Sequence, residues 1–336
     1  MLSGVMAAVV GCTAVAVYGM VFGLFLQGID RKCAAHMQAR VGPPIRQPFI
    51  DIGKLLCKDN VVPDNAVRSV FNAAPLIALA ASVTILLYLP VGSFMPILGP
   101  WGDIVLIMYL LTVPALAMVA GGFASGSPYA TVGSQREMVT MIAYEFPLAI
   151  AIIAIAWRLS IAGVADPFLI STIAQTSVWS VTGPFGWLGL LLLLLVLAWV
   201  TPAELSRVPC DTPEAETELA DGLLIEYSGR NLALFSLSAA VKTVAMATLA
   251  VVLFLPWNPS WFIGMAPAVA FIADALFFIV KVVLVVFFSV SVIRVMMARF
   301  RINHLVTFYW KYLGIAGIAG LVLIVLDAMF GMGVVA

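Results

Sequence analysis

TPAELSRVPCDTPEAETELADGLLIEYSGR, residues 201 to 230, is a polar stretch inside a chain that is otherwise almost wholly apolar. It holds seven of the chain's 17 carboxylates: Glu204, Asp211, Glu214, Glu216, Glu218, Asp221 and Glu226. Pro209 and Pro213 punctuate it. Asp211 or Thr212 can cap a short helix that takes Pro213 in its first turn, where an N–H has no intrahelical partner to lose. On such a helix Glu214, Glu218 and Asp221 fall at i, i+4 and i+7 and form one acidic stripe. Like charges at that spacing cost roughly 0.2–0.5 kcal/mol per pair, which a mere connection between two spans has no reason to bear. The plainer alternative is a solvated acidic loop beside a membrane.

Working outward, 63% of the 336 residues are hydrophobic and only 10% charged, with a mean hydropathy of +1.11. Soluble domains carry about 25% charged residues, so the expected class is an all-α integral membrane protein. A formal net charge of zero argues against a nucleic-acid partner. Cys12, Cys33, Cys57 and Cys210 are far apart, and His36 and His304 stand alone, so no iron–sulfur, zinc or haem site can be read. Phosphate-loop, nucleophile-elbow and zinc-protease signatures are missing as well. The chain is expected to carry no metal, cofactor or catalytic centre of its own. Its first apolar segment starts almost at Met1 without a basic leader and reads as a retained span.

Crossing ~30 Å of hydrocarbon takes about 20 residues of helix. Eight runs qualify, near 4–26, 70–92, 103–123, 137–158, 185–202, 231–255, 262–293 and 312–334, in a single membrane domain. Fourteen basic residues fall in the loops 27–69, 124–136, 203–230 and 294–311, and none lies in the intervening loops 93–102, 159–184 and 256–261. By the positive-inside rule those four loops face the cytoplasm of a prokaryotic inner membrane, and both termini lie outside.

The first of these loops contains ARVGPPIRQPFIDIGKLLCKDNVVP, residues 39 to 63. Its prolines argue against helix up to Gln47. Beyond Pro48, apolar Phe49, Ile52, Leu55 and Leu56 alternate with Asp51, Lys54 and Lys58 at helical spacing, which predicts a short amphipathic helix on the membrane surface. It is either an ordinary lipid-surface helix or a docking floor for a partner.

Within the spans, Glu137, Met141 and Glu145 form an i, i+4, i+8 row that runs into the bilayer ahead of Pro147. A charged carboxylate at mid-helix costs about 2.5–3.5 kcal/mol on insertion scales, so it is retained for pairing, for protonation or for an internal water path. Lys242 sits in the sixth span, and Asp274 and Lys281 lie at i, i+7 in the seventh. These three suit a structural charge pair and a proton relay equally well. Asp327 and Asp103 read as interfacial.

Four pieces of the chain resemble the NADH dehydrogenase subunit 1 (H-subunit) family of respiratory complex I and its relatives in energy-converting hydrogenases. They are ARVGPP…QPFIDIGKLLCKD (39–59), GSQREMVTMIAYE (133–145), ELSRVPCDTPEAETEL (204–219) and GLLIEYSGRNLALF (222–235). Pro44, Cys210, Thr212 and Thr140 depart from the complex I pattern and look more like the membrane subunit of nickel–iron hydrogenases of the Ech or CO-induced type. The resemblance implies a non-redox subunit that couples ferredoxin-linked proton reduction, or hydrogen oxidation, to transport of H⁺ or Na⁺. It also implies partners: the peripheral hydrogenase large and small subunits with their nickel–iron centre and iron–sulfur clusters, an antiporter-like membrane subunit, and ferredoxin through the complex. Glu145, Asp211, Glu214, Glu216 and Glu226 match the family's acidic path. Arg40, Gln47, Asp51, Lys54, Arg207 and Arg230 match loops that contact the redox module, and Arg46 lies among them. Two alternatives are the corresponding membrane subunit of a complex I-type quinone reductase and a purely structural anchor.

Overall fold

The computed structural model describes residues 2–92, 94–261 and 266–331. Among them the chain is helical, with two isolated bridges, Val91 to Phe94 and Asp103 to Leu169, and no strand. Eight helices are long and apolar enough to cross a membrane, as expected of an all-α integral membrane protein.

In chain order the helices are α1 (Leu2–Met37), α2 (Gln47–Leu56), α3 (Arg68–Tyr88), α4 (Ile104–Ala124), α5 (Pro128–Ile161), α6 (Ile170–Gln175), α7 (Val178–Val181), α8 (Pro184–Glu204), α9 (Glu216–Leu219), α10 (Gly229–Phe254), α11 (Pro267–Val286), α12 (Ile293–Met296), α13 (Ile302–Thr307) and α14 (Gly314–Met329). A π-helical turn, Phe287–Val292, fuses α11 to α12, and a second, Phe308–Leu313, fuses α13 to α14. Such turns insert an extra residue per hydrogen-bonded ring and re-aim the side chains beyond them.

The axis of the bundle is α10. Its most apolar window is 94% buried, whereas no other membrane-length helix exceeds 56%. Around it pack α1, α3, α8 and α11. In a bilayer there is no hydrophobic drive between apolar helices, so close van der Waals fit and small residues hold them together. The α8–α14 seam illustrates this. A Cβ on Gly189 would stand 2.7 Å from the Gly320 carbonyl oxygen, and one on Gly320 would stand 3.1 Å from that of Gly189.

Several boundaries differ from the sequence expectation. Helix α5 starts at Pro128, so most of the loop expected at 124–136 is helical; Ser127 is extended, and proline at the first helical position loses no hydrogen bond. The first helix continues past 26 to Met37, which carries Asp30, Lys32 and His36 on its end. The amphipathic helix appears as α2, with Ile52 buried and Phe49 and Lys54 exposed. The expected start of the seventh span at 262–265 and the end of the eighth at 332–334 lie outside the described residues.

The largest correction concerns residues 211 to 221. No helix starts at Pro213; helix is confined to one turn, Glu216–Leu219. Ala220 and Asp221 take left-handed backbone angles, φ 49° and 73°, which end that turn. The stripe of Glu214, Glu218 and Asp221 therefore does not form: Glu218 turns to Arg136, while Glu214 and Asp221 line one cavity.

Candidate functional site

The polar segment between α8 and α10 is folded inward and fastened at both ends. Near its start the Cys210 thiol lies 3.2 Å from the Tyr309 hydroxyl, which itself donates to the Trp199 carbonyl at 2.6 Å. Burial pushes the Cys210 thiol up to about 12, so it is an inert packing group. Near its end Tyr227 stacks on Phe71 of α3, ring centroids 4.1 Å apart, and donates to the Phe71 carbonyl.

Between these anchors lies a cavity of about 560 Å³ at the end of the bundle that carries the charged loops. Charged groups dominate its wall: Arg207, Asp211, Glu214, Asp221, Arg294 and Arg299. Arg299 holds Asp211 in a fork, with a 2.8 Å bond from Nε, and reaches Thr217 at 3.2 Å. Arg294 lies 3.1 Å from Asp30 of α1, which also accepts a 2.6 Å bond from Ser291. Ser291 belongs to the π-helical turn, so that turn is what aims the α11–α12 side chains at α1. Arg207 lines this cavity; enclosure in protein lowers its pKa, and the nearby Asp30 and Glu214 oppose the shift.

A second, much smaller space of about 30 Å³, enough for one water, lies deeper. Glu204, Ser206, Glu214, Ser238 and Lys242 contribute to its wall. Ser206 and Glu214 line both spaces and so form the partition between them. Burial pushes the Glu214 carboxyl up to about 7; Arg207 pulls it down, and Asp211 and Asp221 push it further up. On the inner side Lys242 of α10 pairs with Glu204 of α8 at 2.7 Å, both nearly inaccessible to solvent. Glu137 of α5 is 2% exposed and lies within electrostatic reach of Glu204, Glu214 and Lys242. Thr140 donates to the Glu137 carbonyl at 2.9 Å and lies 3.5 Å from its carboxylate. One turn further on, Tyr144 is buried with its hydroxyl unpartnered, and Glu145 keeps one buried, unpartnered oxygen while feeling Glu204 and Lys242.

The structure thus brings together Glu137, Glu145, Glu204, Glu214 and Lys242, with Asp211 in the outer cavity. Other residues of the sequence set lie apart. Glu218 is at the surface and pairs with Arg136 at 2.6 Å. Asp221 is exposed at the cavity mouth, Glu226 is half-buried, and Arg230 is exposed. The Glu216 side chain lies outside the described residues. Lys281 donates to the Leu255 and Trp257 carbonyls, both at 2.9 Å, and Asp274 accepts from the Ser260 amide at 3.1 Å and hydroxyl at 2.7 Å. Those bonds tie α11 to the chain leaving α10, where a cation suits the free carbonyls of a helix C-terminus. Of the docking set, Arg40, Arg46 and Lys54 are exposed, while Asp51 is bound to Arg31 at 3.1 Å and to Gln47 at 2.9 Å.

Sequence reasoning missed two things. Asp30 joins α1 to α12, and its signal was an acid in a basic, helical stretch. Asp327, read as interfacial, is fully buried and lies 3.1 Å from equally buried Arg158, while accepting from the Gly183 amide at 2.9 Å. No local pattern announces a pair 169 residues apart.

The fold is an eight-span helical bundle in which buried acids lie beneath a charged, cavity-bearing end. The chain belongs to the NADH dehydrogenase family, whose profile matches residues 10–325. It is 36% identical to the H subunit of NADH-quinone oxidoreductase from Anoxybacillus flavithermus over 88% of this chain and 86% of that one. It is 30% identical to the same subunit from Brevibacillus brevis, over 89% and 87%. A chain in the structure of the membrane-bound sulfane sulfur reductase, an archaeal respiratory membrane complex, superposes with a TM-score of 0.82 at 25% identity, over 95% of this chain and 99% of that one.

Proposed function

We propose that this protein is the membrane coupling subunit of a respiratory oxidoreductase complex of the complex I type, linking redox chemistry in partner subunits to ion transfer. The observation that carries this is the partition at Glu214. A carboxyl that titrates near 7 stands between an outer cavity and an inner set of buried acids paired with one lysine. Such a group changes charge when the field around it changes slightly, which is the property a coupling element needs. A redox-linked shift of the loops around Arg207, Arg294 and Arg299 would strengthen or weaken the field on Glu214. A proton then passes between Glu214 and the Glu204–Lys242 pair, and onward to Glu137 and Glu145 in the membrane. Substituting Glu145→Gln in the assembled complex is expected to abolish ion translocation while leaving electron transfer at the partner subunits measurable; unchanged translocation rejects the relay.

The finer reading is the nickel–iron hydrogenase branch: ferredoxin-linked proton reduction, or the reverse, in peripheral large and small subunits that hold the nickel–iron centre and iron–sulfur clusters, beside an antiporter-like membrane subunit. It rests on Pro44, Thr140, Cys210 and Thr212, and on the charged lining of the outer cavity, which suits water and ions better than an apolar quinone. The likeness to membrane subunits of NADH-quinone oxidoreductases supports the second reading, a quinone acceptor. In both, the four basic loops and the charged cavity face the cytoplasm of the cell membrane, with the termini outside. Purifying the complex through a tag on this chain separates the two. Hydrogen evolution from reduced ferredoxin with bound nickel supports the hydrogenase branch; nickel-free quinone reduction supports the other.

A further inference from the structure

At the charged end of α1, two open cavities share a wall. The first, about 640 Å³, is a cup made where residues 39–44 fold back over the helix end, with Lys32 and Arg40 as its cationic groups and His36 beside them. The second, about 350 Å³, is a slot with an apolar lining between α1, Ile45 and Phe287 at the start of the π-helical turn. Lys32 and His36 border both, so the slot opens directly beneath the cations. From Arg31 to Arg46 the chain holds four Lys or Arg residues and no acid. Arg31 is engaged by Asp51 and the Arg40 Nε donates to Gln38 at 2.9 Å, while Lys32, His36 and Arg40 are all exposed. The His36 Nδ1 donates to the Lys32 carbonyl at 2.9 Å, which fixes the ring at the rim shared by the two spaces.

The cup is held in place by close packing. A Cβ on Gly42 would stand 2.7 Å from that of Ala35 and 3.3 Å from the Lys32 Cα, and one on Gly28 would overlap the Ile45 carbonyl. Only glycine at both positions lets the loop press onto α1, and that contact sets Ile45 as a wall of the slot.

Cations over an apolar slot at the end of a membrane-spanning helix match an amphiphile with an anionic head. We propose that this is a binding site for an anionic phospholipid. Its phosphate sits on Lys32 and Arg40 beside His36, and one acyl chain enters between Cys33, Ile45 and Phe287. An acidic protein surface would satisfy the cations, but it offers nothing to fill the slot; the lipid satisfies both.

The test is native mass spectrometry on the intact complex, delipidated in mild detergent and titrated with phosphatidylglycerol, phosphatidylcholine or inorganic phosphate. Wild type is expected to retain phosphatidylglycerol alone. The variant Lys32→Gln/Arg40→Gln is expected to bind it about tenfold more weakly, since each Lys or Arg near a lipid surface contributes on the order of 1 kcal/mol. Cys33→Phe, which narrows the slot and keeps the cations, is expected to lose binding as well, while Lys32→Arg retains it. Equal retention by the glutamine variant and wild type overturns the proposal. Displacement of the lipid by phosphate alone would make this a simple ion site, and loss of a peripheral subunit with lipid binding intact would make it a protein-docking surface; either result also overturns it.

Discussion

Glu214 is the residue on which the coupling reading turns, and its titration can be followed directly. Its carboxyl is raised from 4.5 to about 7 in the folded protein, so the folded state holds a proton there that the unfolded chain has released. The sign follows: between about 4.5 and 7 the folded state binds more protons than the unfolded one, and stability from this group falls as pH rises, the loss being complete above about 7. Infrared difference spectra are expected to show a protonated carboxyl band that vanishes with a midpoint near pH 7 and is missing in Glu214→Gln. A band that titrates near 4.5 would remove Glu214 from the path. The ion pairs make a second prediction at this scale. Leaving one buried charge without its partner costs about 3–5 kcal/mol, whereas replacing both by apolar groups of similar size is often neutral. Arg158→Met is therefore expected to lower the melting temperature of the purified protein strongly, and Arg158→Met/Asp327→Leu to recover most of the loss. The tie of Arg31 to Asp51 is about 40% exposed on each side, and exposed pairs are worth about 0–1 kcal/mol, so Asp51→Asn should barely move the melting curve.

At the scale of elements, α8 and α14 meet through facing glycines, and this contact leaves no room for a side chain. Gly189→Leu is expected to cost about 1–3 kcal/mol by overpacking and to separate the two helices. A disulfide engineered across the seam is expected to form readily in the parent and slowly or not at all in that variant. The periodic, strongly apolar elements could be read from sequence because a span must satisfy its own backbone inside the bilayer and has few alternatives to helix. The acidic segment could not. Capping residues and Pro213 favoured a helix, yet local propensity there is worth only a few tenths of a kcal/mol per residue. The anchors at Cys210 and Tyr227, the fork from Arg299 to Asp211, and Arg207 facing Glu214 outweigh it. Much the same holds at Pro128: residues 124–136 read as a loop between two spans, but proline at the first turn starts α5 nine residues before Glu137.

For the whole molecule, the proposed sidedness can be tested with the native thiols. Cys57 is exposed at the charged end, Cys12 and Cys33 are half-covered, and Cys210 is buried with its thiol pushed up to about 12. In vesicles stripped of peripheral subunits, a membrane-impermeant maleimide is expected to label Cys57 only when that end faces the bulk solution, which is the inside-out orientation. Labelling in right-side-out vesicles would reverse the topology. The sequence by itself determined the all-α membrane class, the eight spans, the polar segment with Glu204 and Glu214, and the acids Glu137 and Glu145 of the fourth span, because a carboxylate inside hydrocarbon is too costly to be incidental. Which of these acids meet was decided only by tertiary structure. Glu204 finds Lys242 across two helices, Glu214 turns inward while Glu218 turns out to Arg136, Lys281 goes to the backbone leaving α10, and Asp327 is enclosed with Arg158. The physical reason is that the cost of burying a charge is a property of the residue, whereas the partner that relieves it is supplied by elements far away in the chain.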